Sequence, residues 1–358
     1  MPWILLLNVA LVAPLGADRP SHGELVQAVV AEREKVRTLQ VEVFARRELP
    51  EVRSSFRTLY LDVDGRRWRF DSTGFMAGKE AWELEGEGVF TRKVSVNGDF
   101  LFTFFPGIGQ GIARRDYFAD AIARGEVNPF PDPRNAGLTA AYSGNMGTPF
   151  ELAGTRVSLY TYDIECIEAD RIGVETAIWD GKAAWAIEAV WNPRSGRVRS
   201  QRYVVVPEWG HAVVFRESWF SPEVEPGPTR VFTVRTEVAL DERTQIWFPS
   251  RTHYTAVVDG ETTQDEVAEF RIVSLNEPLA ESIFTLGGMG VPAGRRVLDA
   301  VQPSATDTIW DGDQVVSLSA QLPILSDGGG RYSRWLLIGL AVTALAGALV
   351  LWRSAARR

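Results

Sequence analysis

The sequence predicts an α+β protein, mostly antiparallel β, with one helix ahead of the sheet and a second, membrane-crossing helix at the far end. Three observations carry this. Apolar and polar residues alternate in long runs through the middle of the chain. Those runs are separated by Asp-Gly or Asn-Gly at 64–65, 97–98, 180–181 and 259–260, the dipeptides of two-residue hairpins. Little helical spacing lies between them, so successive strands pair as a meander rather than through βαβ units.

The chain has 358 residues, 45% of them hydrophobic, enough for one large or two ordinary domains. Its ends differ from its body. Residues 3–15 are a short apolar run, followed by "LGAD" with a small-residue cleavage site after Ala17. Residues 1–17 therefore read as a secretory signal peptide; thirteen apolar residues are short for an anchor. At the other end, residues 335–352, "WLLIGLAVTALAGALVLW", carry no charge. As a helix they would reach roughly 27 Å, close to the hydrocarbon thickness of a bilayer. Trp335 and Trp352 stand where interfacial aromatics are favoured. Arg353, Arg357 and Arg358 on the short tail 353–358 place the C-terminus in the cytoplasm. The expected topology is a single-pass membrane protein of the bacterial cell envelope, its N-terminal domain exported. Cys166 is the only cysteine, so no intrachain disulfide forms, and no Cys follows the signal segment to take a lipid. A net charge of -8 without a basic patch argues against nucleic acid.

The first element is a helix over about 22–37. Ser21 and Glu24 fit a capping box, and Leu25, Val26, Val29 and Val36 form one apolar stripe. Strands follow. In "RTLYLDVDGRRWRF" a two-residue turn at Asp64-Gly65 pairs Leu61 with Trp68 and Leu59 with Phe70. The other face then pairs Asp62 with Arg67 and Tyr60 with Arg69, so apolar meets apolar and opposite charges meet. The turn at Asp180-Gly181 pairs Val174 with Ile187 and Thr176 with Trp185. "RYVVVPEWGHAVVFRESWF" turns near 207–210. "RVFTVRTEVAL", "TQIWFPSRTHYTAVV" and "EVAEFRIVSL" continue the meander.

The strand at 99–105, "DFLFTFF", is unusual. Phe100, Phe102 and Phe104 share one face, yet Leu101 and Phe105 make the other face apolar as well. An antiparallel strand with one solvated face alternates instead. Its second face must meet a flap of the chain, a bound acyl chain or a partner. Residues 106–149 are too long for a turn and read as that flap or insertion. The tail of the body thins out: 291–325 reads as a small extension with one small hairpin, and 326–334 as a flexible linker.

Tests for chemistry find little. "PGIGQGI" has Gly107 and Gly109 but Ile112 where the dinucleotide fingerprint needs its third glycine, and it lies among antiparallel strands; a hinge fits better. His22, His211 and His253 pair at no metal-ligand spacing. Asp163, Glu165, Glu168 and Asp170 follow no calcium-loop pattern. No G-x-S-x-G, S-x-x-K or H-E-x-x-H occurs, so the chain is expected not to be an enzyme, with no metal and no cofactor.

The order of parts resembles the LolA-like family of periplasmic lipoprotein carriers and receptors. The resemblance rests on "GELVQAVVAEREKVRTLQ" leading into "VEVFARREL", on the run of hairpins, on "YVVVPEWGHAVVFRESW", and on "DERTQIWFPSRTHYTAVV" running into "LNEPLAESIFTL". It implies that 18–290 is a half-barrel: a curved sheet of about eleven strands wrapped around the N-terminal helix, whose apolar hollow holds acyl chains. The expected function is a membrane-tethered envelope protein binding a lipid or lipoprotein acyl chain. The alternative is a non-catalytic envelope sensor or scaffold that binds a protein partner. The departures are the C-terminal anchor and the missing lipidated Cys, which argue against a shuttle between membranes. On face arguments alone, Trp68, Phe70, Phe100, Phe102, Phe104 and Trp185 are the candidates for lining the cavity.

Overall fold

A computed structural model describes residues 19–49, 53–73, 76–77, 90–97, 100–105, 109–114, 134, 164, 166, 168–191, 197–222, 228–299 and 308–317. Residues 1–316 form one compact unit; of a second, 317–358, Ser317 alone is described. The signal segment 1–17, the linker 326–334, the span 335–352, the tail 353–358 and most of the flap 106–149 lie outside the described residues. Among those described, no helix is long and apolar enough to cross a membrane.

Helix α1 runs His22–Glu34 and begins as its residues require. The Glu24 amide donates to Ser21 Oγ at 3.2 Å, and the Ser21 amide donates back to the Glu24 carboxylate at 2.7 Å. That backbone donor, with the Ser21 hydroxyl, holds the Glu24 carboxyl below its ordinary pKa. Leu25, Val26 and Val29 are buried. The helix stops before Val36, which is nonetheless buried in the core.

The strands are β1 (Thr38–Leu49), β2 (Arg53–Asp62), β3 (Arg67–Thr73), β4 (Met76–Ala77), β5 (Phe90–Asn97), β6 (Phe100–Phe105), β7 (Gly109–Arg114), β8 (Arg171–Trp179), β9 (Lys182–Trp191), β10 (Arg197–Val206), β11 (Ala212–Pro222), β12 (Arg230–Asp241), β13 (Ile246–Val258), β14 (Glu261–Leu275), β15 (Arg295–Asp299), β16 (Thr308–Trp310) and β17 (Val315–Ser317). The described residues thus hold seventeen strands, not about eleven, because β4, β7 and β15–β17 extend the meander.

Pairing gives one open sheet in the order β8-β9-β10-β11-β12-β13-β14-β1-β2-β3-β5-β6-β7-β15-β16, with β4 beside β2. Among the described residues these pairs are antiparallel except β7–β15. Register shifts in β1–β14, β10–β11, β12–β13 and β13–β14 mark the bulges that bend and twist it.

The predicted hairpin registers are present. Leu61 faces Trp68, Leu59 faces Phe70, Asp62 faces Arg67 and Tyr60 faces Arg69. Arg67 donates to the Asp62 carboxylate, and the Arg69 guanidinium lies 5.2 Å from the Tyr60 ring centre. Val174 faces Ile187 and Thr176 faces Trp185, across a turn where Asp180 and Gly181 have φ of 46° and 75°. Both left-handed values are what a type I′ turn demands. Two readings shift. Asn97 pairs with Phe100, so β6 starts one residue later than expected. "GQGIAR", read as part of the hinge and flap, is strand β7, held between β6 and β15.

The face bearing α1 holds two clusters. Around Leu39, Val41, Val43, Leu59, Leu61, Trp68, Phe70, Val94, Val96, Ile246, Phe248 and Ala268 lies the main core. Leu25, Val26 and Val29 of α1 pack with Ile164, Cys166, Val174, Ile187, Ala189, Tyr203, Val205 and Val213 in the second.

Candidate functional site

The six expected cavity residues divide among three clusters. Trp68 is 1% exposed and packs with Phe70 in the main core, their rings stacked at 6.3 Å. Trp185 is half-buried against the helix cluster. Phe102 and Phe104 are half-buried against Leu286, Met289, Val291, Val297 and Trp310. The side chain of Phe100 lies outside the described residues.

This placement explains the doubly apolar strand. On β6, Leu101 pairs opposite Val96, a member of the main core, whereas Phe102 pairs opposite Ser95. Among the described residues, Phe102 and Phe104 are covered by Leu286, Met289, Val291, Val297 and Trp310. Polar bonds hold that cover. Arg69 donates bidentately to Asp71 and through Nη1 to the carbonyls of Ile283 and Gly288, each at 2.7 Å. Lys93 Nζ donates to Met289 O at 2.9 Å, and Ser95 Oγ to Phe284 O at 3.0 Å. Gly288 has no room for a side chain: a Cβ would lie 2.0 Å from Ser282 O.

A site of different character lies on the α1 face, running out from Tyr203 of the second cluster. Register aligns one transverse row: Arg47 with Glu266, Glu266 with Tyr254, Tyr254 with Val234, Val234 with Arg216, and Arg216 with Tyr203. Glu266 is 1% exposed, and Arg47 Nη2 lies 3.6 Å from its Oε2. Burial and the Glu266 charge push the Tyr254 phenol up to about 12, against the opposing pull of Arg47 and Arg216. Tyr203 Oη donates to Gln201 at 3.0 Å, and Gln201 passes a donor to Ser218 at 3.2 Å.

An aromatic ladder runs diagonally out of this row. Tyr254 stacks on Phe232 at 6.5 Å, and Phe232 meets Phe220 edge-on at 5.8 Å. The Arg199 guanidinium then bridges, 5.7 Å from the Phe220 ring and 4.7 Å from Trp191. These rings are half-buried. The ladder crosses β9–β13, with Arg199 set between Phe220 and Trp191 at one end and the Arg47–Glu266 pair beside Tyr254 at the other. Each ring pair adds about 0.5–1.5 kcal/mol beyond area burial.

Sequence reasoning did not single out Arg47, Arg216, Phe220, Phe232, Tyr254 or Glu266. One signal was available: Glu266 shares strand parity with the buried Ala268, so it is a carboxylate at an inward position. None of the three histidines joins the row. His22 Nε2 is 2.8 Å from Ile164 O, and His253 Nε2 is 2.8 Å from Asp265 Oδ1. His211 sits where burial lowers its pKa.

Among the described residues, helix α1 followed by an open, mostly antiparallel sheet is the order of parts expected of a LolA-like half-barrel. No protein-family model and no curated protein matches the chain. Solved structures do. The chain is similar to an outer membrane lipoprotein-sorting protein domain from Vibrio parahaemolyticus, at 10% identity over 75% of this chain and 99% of that one, with a TM-score of 0.39. It is similar to a DUF1329 family protein from Desulfovibrio piger, at 11% identity over 74% and 98%, with a TM-score of 0.41. It is also similar to LprF from Mycobacterium bovis, at 10% identity over 74% and 97%, with a TM-score of 0.24.

Proposed function

We propose that this chain is a non-catalytic protein of the bacterial envelope that binds the acyl chain of a lipid or lipoprotein on the α1 face of its sheet. The observation that carries the reading is the ladder of Phe220, Phe232 and Tyr254, half-buried and outside the packed core. Its middle is apolar and its ends are polar, which suits a hydrocarbon chain with an ester or headgroup at one end. Apolar burial at about 25 cal/mol per Å² supplies the affinity, roughly 0.8 kcal/mol for each CH₂ covered. A protein-binding sensor or scaffold is the second reading, favoured by the complete packing of Trp68 in the main core.

The test compares the full chain, purified in detergent, with its Phe232→Asp variant. Both are extracted with organic solvent and weighed by mass spectrometry, and both are titrated with a fluorescent fatty acid. The acyl reading expects lipid in stoichiometric amount from the wild type and a clear loss in the variant, with circular dichroism unchanged. Equal lipid and equal probe binding in the two proteins would falsify it.

A further inference from the structure

The sheet face opposite α1 carries a cavity at β8–β13. It is about 500 Å³, within the ~300–1,000 Å³ range of ligand sites. It is lined by Trp179, Asp180, Trp209, Arg235, Glu237, Val238 and their neighbours, and a cluster of small residues lies beside it. Ala177, Ala184, Ala186, Val204, Val206 and Ala212 form a buried cluster, and Trp179, Trp209 and Val238 stand at its margin. Alternation sets this cluster against the helix cluster: on β9, Ile187 and Ala189 face α1 while Ala184 and Ala186 face away.

Local backbone positions the walls. Trp179 is the last residue of β8, fixed by the left-handed Asp180-Gly181 turn. Trp209 closes a single 3₁₀ turn that Gly210 ends at φ 59°. Trp179 lies 5.6 Å from Phe215, and Trp209 lies 6.0 Å from Trp247, so each indole is braced from behind. On the third side, Arg235 faces His253 and Glu237 faces Arg251 across β12–β13. The register shift after Glu237 lets Val238 join the same wall.

The lining chemistry selects a ligand class. The guanidiniums of Arg235 and Arg251 stand against the carboxylates of Asp180 and Glu237, so the cavity carries no net ionic preference. Arg251 Nη1 is 3.8 Å from Glu237 Oε1, and Arg235, exposed, has no ion pair among the described residues. A neutral molecule rich in hydroxyl groups uses both kinds of partner, because each hydroxyl donates to a carboxylate and accepts from a guanidinium. The C–H face of a sugar ring is apolar and covers an indole face. We infer that the cavity bounded by Trp179, Trp209, Arg235 and Glu237 is a binding site for a neutral oligosaccharide. It lies on the other side of the sheet from the acyl site and does not depend on it.

The test titrates the detergent-purified full chain with β-1,4-linked N-acetylglucosamine, β-1,4-glucose and α-1,4-glucose oligomers. Citrate and inorganic phosphate are the anionic controls. Tryptophan fluorescence and saturation-transfer NMR read binding. At least one oligosaccharide is expected to bind with Kd below about 10 mM and to lose at least tenfold in Trp179→Ala. Glu237→Gln, at an exposed position, keeps the fold and is expected to weaken binding several-fold. No binding by any of the three sugars, binding by citrate or phosphate alone, or sugar binding unchanged in both variants overturns the assignment.

Discussion

Replacing Asp71 by Ala tests how the C-terminal segment is fastened to the sheet. The side chains of Arg69 and Asp71 are each 6% exposed and form a bidentate pair. Without the carboxylate, Arg69 keeps its bonds to the Ile283 and Gly288 carbonyls but holds a buried, uncompensated charge. Lys93 stands close enough for the two cations to repel, a repulsion that Asp71 now offsets. Breaking a buried pair by removing one partner costs about 3–5 kcal/mol. With a urea m-value of about 3 kcal/mol/M, the unfolding midpoint should fall by about 1–1.7 M. Hydrogen exchange should show the loss concentrated at 281–291. The double variant Arg69→Met/Asp71→Leu removes both charges and should recover most of the midpoint, because apolar isosteres replace buried pairs at little cost. Exchange at 281–291 should stay fast in it, since the two carbonyls have lost their donor. A midpoint shift under about 0.3 M for Asp71→Ala, or slow exchange at 281–291 in the double variant, would refute the fastening.

Other outcomes follow from the same geometry. In Glu266→Gln the Tyr254 phenol should titrate below about 12, since one of the two causes raising it is gone; ring-carbon NMR of labelled tyrosine reads this, and an unmoved value contradicts the row. A raised phenol pKa stabilises the fold fully below pH 10 and is lost as pH climbs through about 12, so Tyr254→Phe should flatten that part of the stability curve. Lys93 shifts the other way. Burial lowers its pKa from 10.5, the unfolded chain binds the proton more readily, and stability should rise as pH approaches 10.5; in Lys93→Met that rise should shrink. Gly288→Ala should cost at least about 2 kcal/mol, because the backbone carbonyls it meets cannot move aside like a flexible side chain, and a neutral result would mean the turn at 285–290 re-forms elsewhere.

The hairpins were legible because their information is local. Turn residues and facing pairs sit within a few positions of one another, so Asp64-Gly65 and Leu61 opposite Trp68 could be fixed together. The pairing of β1 with β14 was not legible. Ala45 faces Ala268 across more than two hundred residues, and nothing in either segment names the other. The parallel contact of β7 with β15 was hidden for the same reason. The site residues met a different limit. Face arguments placed Trp68 and Phe70 inward, where they are, but an inward ring fills a core or lines a hollow with the same sequence signature. Arg47, Arg216, Tyr254 and Glu266 come from four strands and meet only through register, so no spacing in the chain records them.

Strand polarity also separates the places where the sheet needs a second layer from those where it does not. Toward β3–β6 both faces are covered, with the main core on one, and on the other Leu286, Met289 and Trp310 against Phe102 and Phe104, while Arg69, Lys93 and Ser95 bond the backbone at 283–289. Toward β8–β11 the sheet is apolar on both faces, with α1 on one and the small-residue cluster on the other. Between them the outer face is largely ionic: Arg271 with Glu42, Arg251 with Glu237, His253 with Asp265. A solvated middle needs no cover, whereas an apolar end must be covered or remain an exposed patch. At β3–β6 the chain supplies the cover itself. At β8–β11 Trp179, Trp209 and Phe215 pack over the small residues, so the two indoles that cover this apolar end are the same two that wall the cavity beside it.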